Sequence, residues 1–191
     1  TVTITSDDSA GLLITETSGN SETDESGTTD SFTVQLTAQP LSEVNLSVVS
    51  LDTGEGTVMP AILTFTNGNW NVPQQVTITG EDDDLADGDQ NYEIRLRVID
   101  FISDDAFDGV LDRNVSITNT DDDVAEINID ITTGTTTEIG GTATFEFTLE
   151  SEPTASVFVE LTGYDNTEGT GPTEVELTPT NWQIGAEITI T

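Results

Sequence analysis

The sequence predicts an all-β protein of tandem immunoglobulin-like antiparallel β-sandwiches, the second incomplete, and three observations carry that prediction. Apolar residues alternate with Thr, Ser and Glu in short runs such as Phe32-Thr33-Val34-Gln35-Leu36, the period of strands with one buried face. No segment repeats its apolar residues at the helical period of 3.6. The chain also repeats itself at a spacing near 113 residues.

The first copy yields seven strands, taken in order. Leu12, Leu13 and Ile14 place one at 11–16, and Phe32, Val34 and Leu36 place the next at 31–37. Val44, Leu46 and Val48 alternate with Asn45 and Ser47 at 43–50, and Leu63 and Phe65 mark 61–66. Asn67-Gly68 is a turn signal before Val76 and Ile78 of a strand at 74–80. Tyr92, Ile94, Leu96 and Val98 alternate with Glu93, Arg95 and Arg97 at 91–99, and Val115 and Ile117 close the copy at 113–119. Seven short strands at this spacing fit an immunoglobulin-like sandwich. Trp70 and Trp182 read as core or end-cap aromatics.

The second copy matches strand by strand. Phe145-Glu146-Phe147-Thr148-Leu149 and Pro153 answer the run from Phe32 to Leu36 and Pro40. Val157, Val159 and Leu161 answer Val44, Leu46 and Val48; Asp165 and Glu168-Gly169 answer Asp52 and Glu55-Gly56. One deletion later, Asn181-Trp182 answers Asn69-Trp70. The expected organisation is a terminal strand and linker of a preceding repeat at 1–8, a complete repeat at 9–120, an acidic linker at 121–123 and a second repeat at 124–191. Val2-Thr3-Ile4 is read as a closing strand by its likeness to Val115-Ser116-Ile117, and the opening in mid-strand reads as a piece of something longer. The second copy has no counterpart of the acidic loop at 81–89 or of the strands at 91–99 and 113–119. Truncation within a longer array and completion by a strand of another chain both account for this.

Charge narrows the function. With 37 acidic residues against 3 basic ones and no histidine, the net charge is −34. That excludes nucleic acid, whose phosphates need Lys and Arg. Without Cys, Lys or His there are no disulfides, no thiolate metal sites, no His-based triads and no lysine or cysteine nucleophiles. A glycosidase-type carboxylate pair would need a cleft that short-looped repeats do not offer, so no enzyme is expected. No run of about 18 apolar residues is present, so no membrane insertion is expected. A halophile's acidity would spread along strands; here it gathers in loops, at Asp7-Asp8, at Asp82-Asp83-Asp84 with Asp87 and Asp89, and at Asp121-Asp122-Asp123. Converging carboxylates without basic partners call for a hard cation with flexible oxygen coordination, which points to Ca2+. Alternate residues of an extended Asp run face opposite sides, so Asp121 and Asp123 share one side and Asp122 takes the other.

The stretch from Glu81 to Ile94 (EDDDLADGDQNYEI) and that from Val115 to Asp123 (VSITNTDDD) resemble the acidic loop and the closing strand with linker of Calx-β domains. These are calcium-binding sandwiches known from sodium–calcium exchangers and very large bacterial surface proteins. Glu25-x-Gly27, Asp52-x-x-Glu55-Gly56 and Asn69-Trp70-Asn71-Val72-Pro73-Gln74 bring the pattern closest to the bacterial repeats. By position, the resemblance implies metal ligands at Glu25, at Asp52 or Glu55, at Asp82, Asp83 and Asp87, and at Asp121, Asp122 and Asp123. It implies a calcium-stiffened repeat of an extracellular or cell-surface adhesin or filament, with neighbouring repeats as partners. A strand-complemented filament, self-assembled by strand exchange, and a calcium-sensing module are the alternatives.

Overall fold

The computed structural model describes residues 8–191 except 18, 20, 164 and 166. The strand expected within 1–8, and Asp7 with it, lies outside the described residues. Strand makes up 46% of the described residues and helix 3%, so the fold is all-β. Two compact units form. The first carries nine strands, and the second carries five together with the segment 84–88, which belongs to it by contacts.

The first unit comprises β1 (Leu12–Glu16), β2 (Glu22–Asp24), β3 (Thr29–Leu36), β4 (Val44–Ser50), β5 (Gly56–Met59), β6 (Ile62–Phe65), β7 (Gln74–Gly80), β8 (Gln90–Val98) and β9 (Arg113–Thr120). One sheet runs β1-β3-β7-β5 and the other β2-β9-β8-β4-β6. Their inward residues form a single core in which Phe32, Leu36, Leu46, Phe65, Ile78, Ile94 and Leu96 are fully buried. Each such side chain contributes about 1.5–3 kcal/mol of burial free energy, so alternation in sequence becomes a closed, β-sandwich-like pair of sheets. Trp70 packs half-buried against this core, as an end-cap aromatic should.

Three features depart from the expected seven antiparallel strands. β2, three polar residues long, was not foreseen, and it runs parallel to β9, with Glu22 opposite Thr118 and Asp24 opposite Thr120. β5 pairs with β7 at the far edge. The acidic loop after β8 folds into two single 3-10 turns at Asp100–Ile102 and Asp105–Phe107. Within it Asp104 is buried, and its carboxylate accepts from the backbone N–H groups of Leu41 (2.6 Å), Ser42 (2.8 Å) and Ala106 (3.0 Å). Those bonds, led by that from Ala106, hold its pKa below the ordinary carboxylate value. Asp104 therefore fixes a turn, and Phe107 beside it enters the core.

The second unit contains β10 (Ile127–Gly134), β11 (Ala143–Leu149), β12 (Val157–Glu160), β13 (Glu174–Leu177) and β14 (Ala186–Ile190), arranged as a sheet β10-β11-β14 and a pair β12-β13. Its pairings recur in the register of the first. Phe145 faces Ile188 as Phe32 faces Val76, and Val159 faces Val175 as Leu46 faces Leu63. The buried cluster is much smaller: Phe147, Val175, Leu177 and Ile188, with Trp182 buried as well.

Candidate metal centre

The backbone around Glu25 is set by hydrogen bonds that its neighbours dictate. Asp24 Oδ1 accepts from the Ser26 hydroxyl (2.6 Å) and the Thr28 N–H (3.2 Å), while the Thr28 hydroxyl accepts from the Asp24 N–H (2.9 Å). The Ser26 bond leads in holding the Asp24 pKa below its ordinary value. A tight turn over 24–28 results, and it presents the next side chain, Glu25. The Glu25 N–H donates to the Thr120 carbonyl (3.2 Å), which ties this turn to the end of β9.

Beneath lies a buried polar network. Asn119, 1% exposed, occupies the inward position two residues beyond Ile117 on β9. Its Oδ1 accepts from the Thr23 hydroxyl (3.0 Å), and its Nδ2 donates to the Glu81 carbonyl (2.9 Å) and, at 3.5 Å, to Glu55 Oε2. One side chain thus joins β2, β9 and the start of the acidic loop. Burial raises the pKa of the neighbouring Tyr92 phenol, which stands 3.5 Å from the Thr23 hydroxyl. Gly80 permits the close approach, since a Cβ there would lie 2.2 Å from the Asp24 carbonyl oxygen and 2.6 Å from Asn119 Oδ1.

On this frame Glu25 and Asp121, both of the first unit, bring one carboxylate oxygen each to within 4.8 Å of one another. Glu25 is 3% exposed; Asp121 and Asp123 are half-buried, and Asp122 between them is exposed. The alternation follows from extended backbone after β9, in which successive side chains face opposite ways. The Asp121 N–H also donates to Asp89 Oδ1 (3.3 Å). Such a pair of oxygens can share one Ca2+, since ligands at 2.3–2.6 Å from an ion stand at most about 4.6–5.2 Å apart.

The other expected ligands fall outside this pair, and Asp122 and Asp123 belong to the second unit. Asp52 is exposed and turns its own loop, with Oδ1 accepting from Gly54 N–H (3.1 Å) and its carbonyl from Gly56 N–H (3.3 Å). Glu55 is half-buried and accepts from Asn119. Asp82 and Asp122 are exposed, Asp83 is half-buried, and Asp87 is exposed within the segment that belongs to the second unit. In the second unit Asp165 repeats the turn role of Asp52. Its Oδ1 accepts from the Thr167 hydroxyl (2.6 Å) and N–H (3.0 Å), the former leading in lowering its pKa. Glu138 is exposed and lies in no strand. Asn119 and Thr23 were not expected to matter; the available signal was a polar residue at an inward position of the run Val115-x-Ile117-x-Asn119.

No protein-family model matches the sequence, and no curated protein matches it. Among solved structures, the chain resembles the E. coli chaperone DraB at 8% identity and TM-score 0.39, over 74% of this chain and 94% of that one. The YadV chaperone gives 8% identity and TM-score 0.39 over 94% and 84%. The MSP-domain-like protein SSP-19 of Caenorhabditis elegans gives 12% and 0.35 over 53% and 92%. Likeness of this degree says nothing about what the chain binds or does. Among the described residues, no helix is long and apolar enough to cross a membrane.

Proposed function

We propose that the chain is a calcium-binding structural repeat of a large extracellular or cell-surface protein, an adhesin or filament, built from tandem immunoglobulin-like, Calx-β-like sandwiches. Ca2+ ties the Glu25 turn to the segment leaving β9, and so stiffens the path of the chain into the next repeat. The observation that carries this reading is the approach of the Glu25 and Asp121 carboxylates, with Glu25 almost fully buried. Carboxylates this close repel, by about 1 kcal/mol per pair at 4 Å even in water and more when shielded from it. The chain's three arginines lie at 95, 97 and 113 on β8 and β9, so a cation from solution is the natural counter-charge. The two carboxylates supply part of a shell of six to eight oxygens, and backbone carbonyls and water complete it. Neighbouring repeats are the partners in this account.

Isothermal titration of the full chain with Ca2+ tests it. Binding near 10⁻⁴ to 10⁻³ M, lost in Glu25→Gln and in Asp121→Asn, is expected for an extracellular scaffold, as an order-of-magnitude range. Submicromolar binding would instead favour a calcium sensor. Absence of binding, or binding that both variants leave unchanged, overturns the assignment.

A further inference from the structure

Both units contain the same strand pair, β4–β6 in the first and β12–β13 in the second, and they differ on its outward face. The inward residues keep their apolar character: Val44 stands opposite Phe65 as Val157 does opposite Leu177, and Leu46 opposite Leu63 as Val159 does opposite Val175. The outward positions between them do not. Where the first unit has Asn45 opposite Thr64 and Ser47 opposite Ile62, the second has Phe158 opposite Glu176 and Glu160 opposite Glu174. Those three glutamates are exposed, and Phe158 is 57% exposed. Glu160 directly across from Glu174 is unfavourable, because like charges at opposed positions of a strand pair repel. Carboxylates bind a guanidinium and an aromatic face stacks on one, so this surface has the composition of an arginine acceptor.

In the first unit the same face holds two of the three basic residues of a chain with net charge −34. Arg95 and Arg97 are the exposed, outward residues of β8 beside β4. Arg95 stands between Val49 of β4 and Asn114 of β9, neither of them charged. Arg97 has Ser47 at its side and the Asp112 carboxylate 3.9 Å away. Val49 and Ile62 leave 41 and 53% of their surface exposed on this face. We propose that the outward face of β8, β4 and β6 docks on the outward face of β12 and β13 of a second copy of the chain. Arg95 and Arg97 then lie over the glutamates, and Phe158 lies against Val49 and Ile62. The occupant is a second copy because the two faces complement each other in charge and each offers apolar surface to the other. Charge also excludes the pairing of like faces, since equal charges would then meet. Contact between two different faces is heterologous, so it propagates from copy to copy unless the geometry closes it. This proposal is independent of the cation site.

Sedimentation of the intact chain tests it, in calcium-free buffer so that no cation bridges glutamates of two copies. Two charge-reversed variants are compared, Arg95→Glu with Arg97→Glu and Glu174→Arg with Glu176→Arg, all at exposed outward positions that spare the core. The unsubstituted chain is expected to associate reversibly, and more weakly as salt is raised. Each variant alone should associate at least about tenfold more weakly, because like charges then face each other. An equimolar mixture of the two should recover the association, since the acidic first-unit face of one variant meets the basic second-unit face of the other. A chain that stays monomeric at its highest soluble concentration, association that survives either reversal, or a mixture that stays dissociated would each overturn the proposal.

Discussion

The two units pair their strands in one register yet close to different degrees. Phe32 and Phe145 stand opposite Val76 and Ile188 in matching positions, but Phe32 is fully buried and Phe145 half-buried. Register is a property of neighbouring strands, written into alternation along each of them. Burial is a property of the opposite sheet, and the second unit's has two strands where the first unit's has five. The loss propagates to local structure. β2 exists beside β9, which supplies its parallel partner; among the described residues of the second unit no strand lies beside the segment around Glu138, and that segment forms no strand. Glu25 and Glu138 thus share a sequence position and have different surroundings.

Core truncation should separate the units most. Phe32→Ala is expected to destabilise the first unit by about 3–5 kcal/mol, and Phe145→Ala to cost the second well under half of that, because its ring is already partly in water. Urea unfolding followed by tryptophan fluorescence, with Trp70 in one unit and Trp182 in the other, reads the two effects. Equal losses would contradict the difference in closure.

A smaller difference is expected at two equivalent glycines. A Cβ on Gly56 would lie 2.1 Å from the hydroxyl of buried Tyr92, whereas one on Gly169 meets nothing nearer than 3.5 Å. Gly56→Ala should therefore cost about 1–3 kcal/mol of overpacking. Gly169→Ala should stay within about 0.5 kcal/mol in the same unfolding experiment.

The least of these effects is at Asp104, which fixes the turn before Phe107 in the first unit. Its pKa lies below the ordinary value of 3.8, so its contribution to stability is full above that pH and is lost as pH falls through the lowered value. Asp108, raised by burial first and then by Asp100, Asp105 and Asp104, has the opposite sign: its contribution is present at low pH and is lost as pH rises through its raised value. Melting curves should place Asp104→Asn a few degrees below the unsubstituted chain at pH 7, roughly the effect of a lost cap. The two should converge as the pH falls below 3.8 and through the lowered value, and a gap that widens on acidification would refute this role.

Most of the fold was legible because alternating apolar residues bind a strand to one face, and all seven strands foreseen in the first copy appear within two residues of their expected ends. β2 was not, because Glu22-Thr23-Asp24 carries no apolar signal and owes its conformation to β9 and Asn119. At the site, the period of two separated Asp121 and Asp123 from Asp122. Which way Asp52 or Glu55 would turn was not legible. A turn carboxylate can bond to its own backbone, as Asp52 does, or to a distant amide, as Glu55 does. Local sequence does not choose between them.

The central claim is that the first unit holds a cation where Glu25 meets Asp121 at the end of β9. Titrating Ca2+ into isotopically labelled chain and following backbone amide shifts tests it directly. The account predicts saturable shifts concentrated at 23–26 and 119–123, abolished by Glu25→Gln, with no more than weak, unsaturated shifts at 165–168. Shifts spread evenly over every acidic loop, or strongest at 165–168, would contradict it.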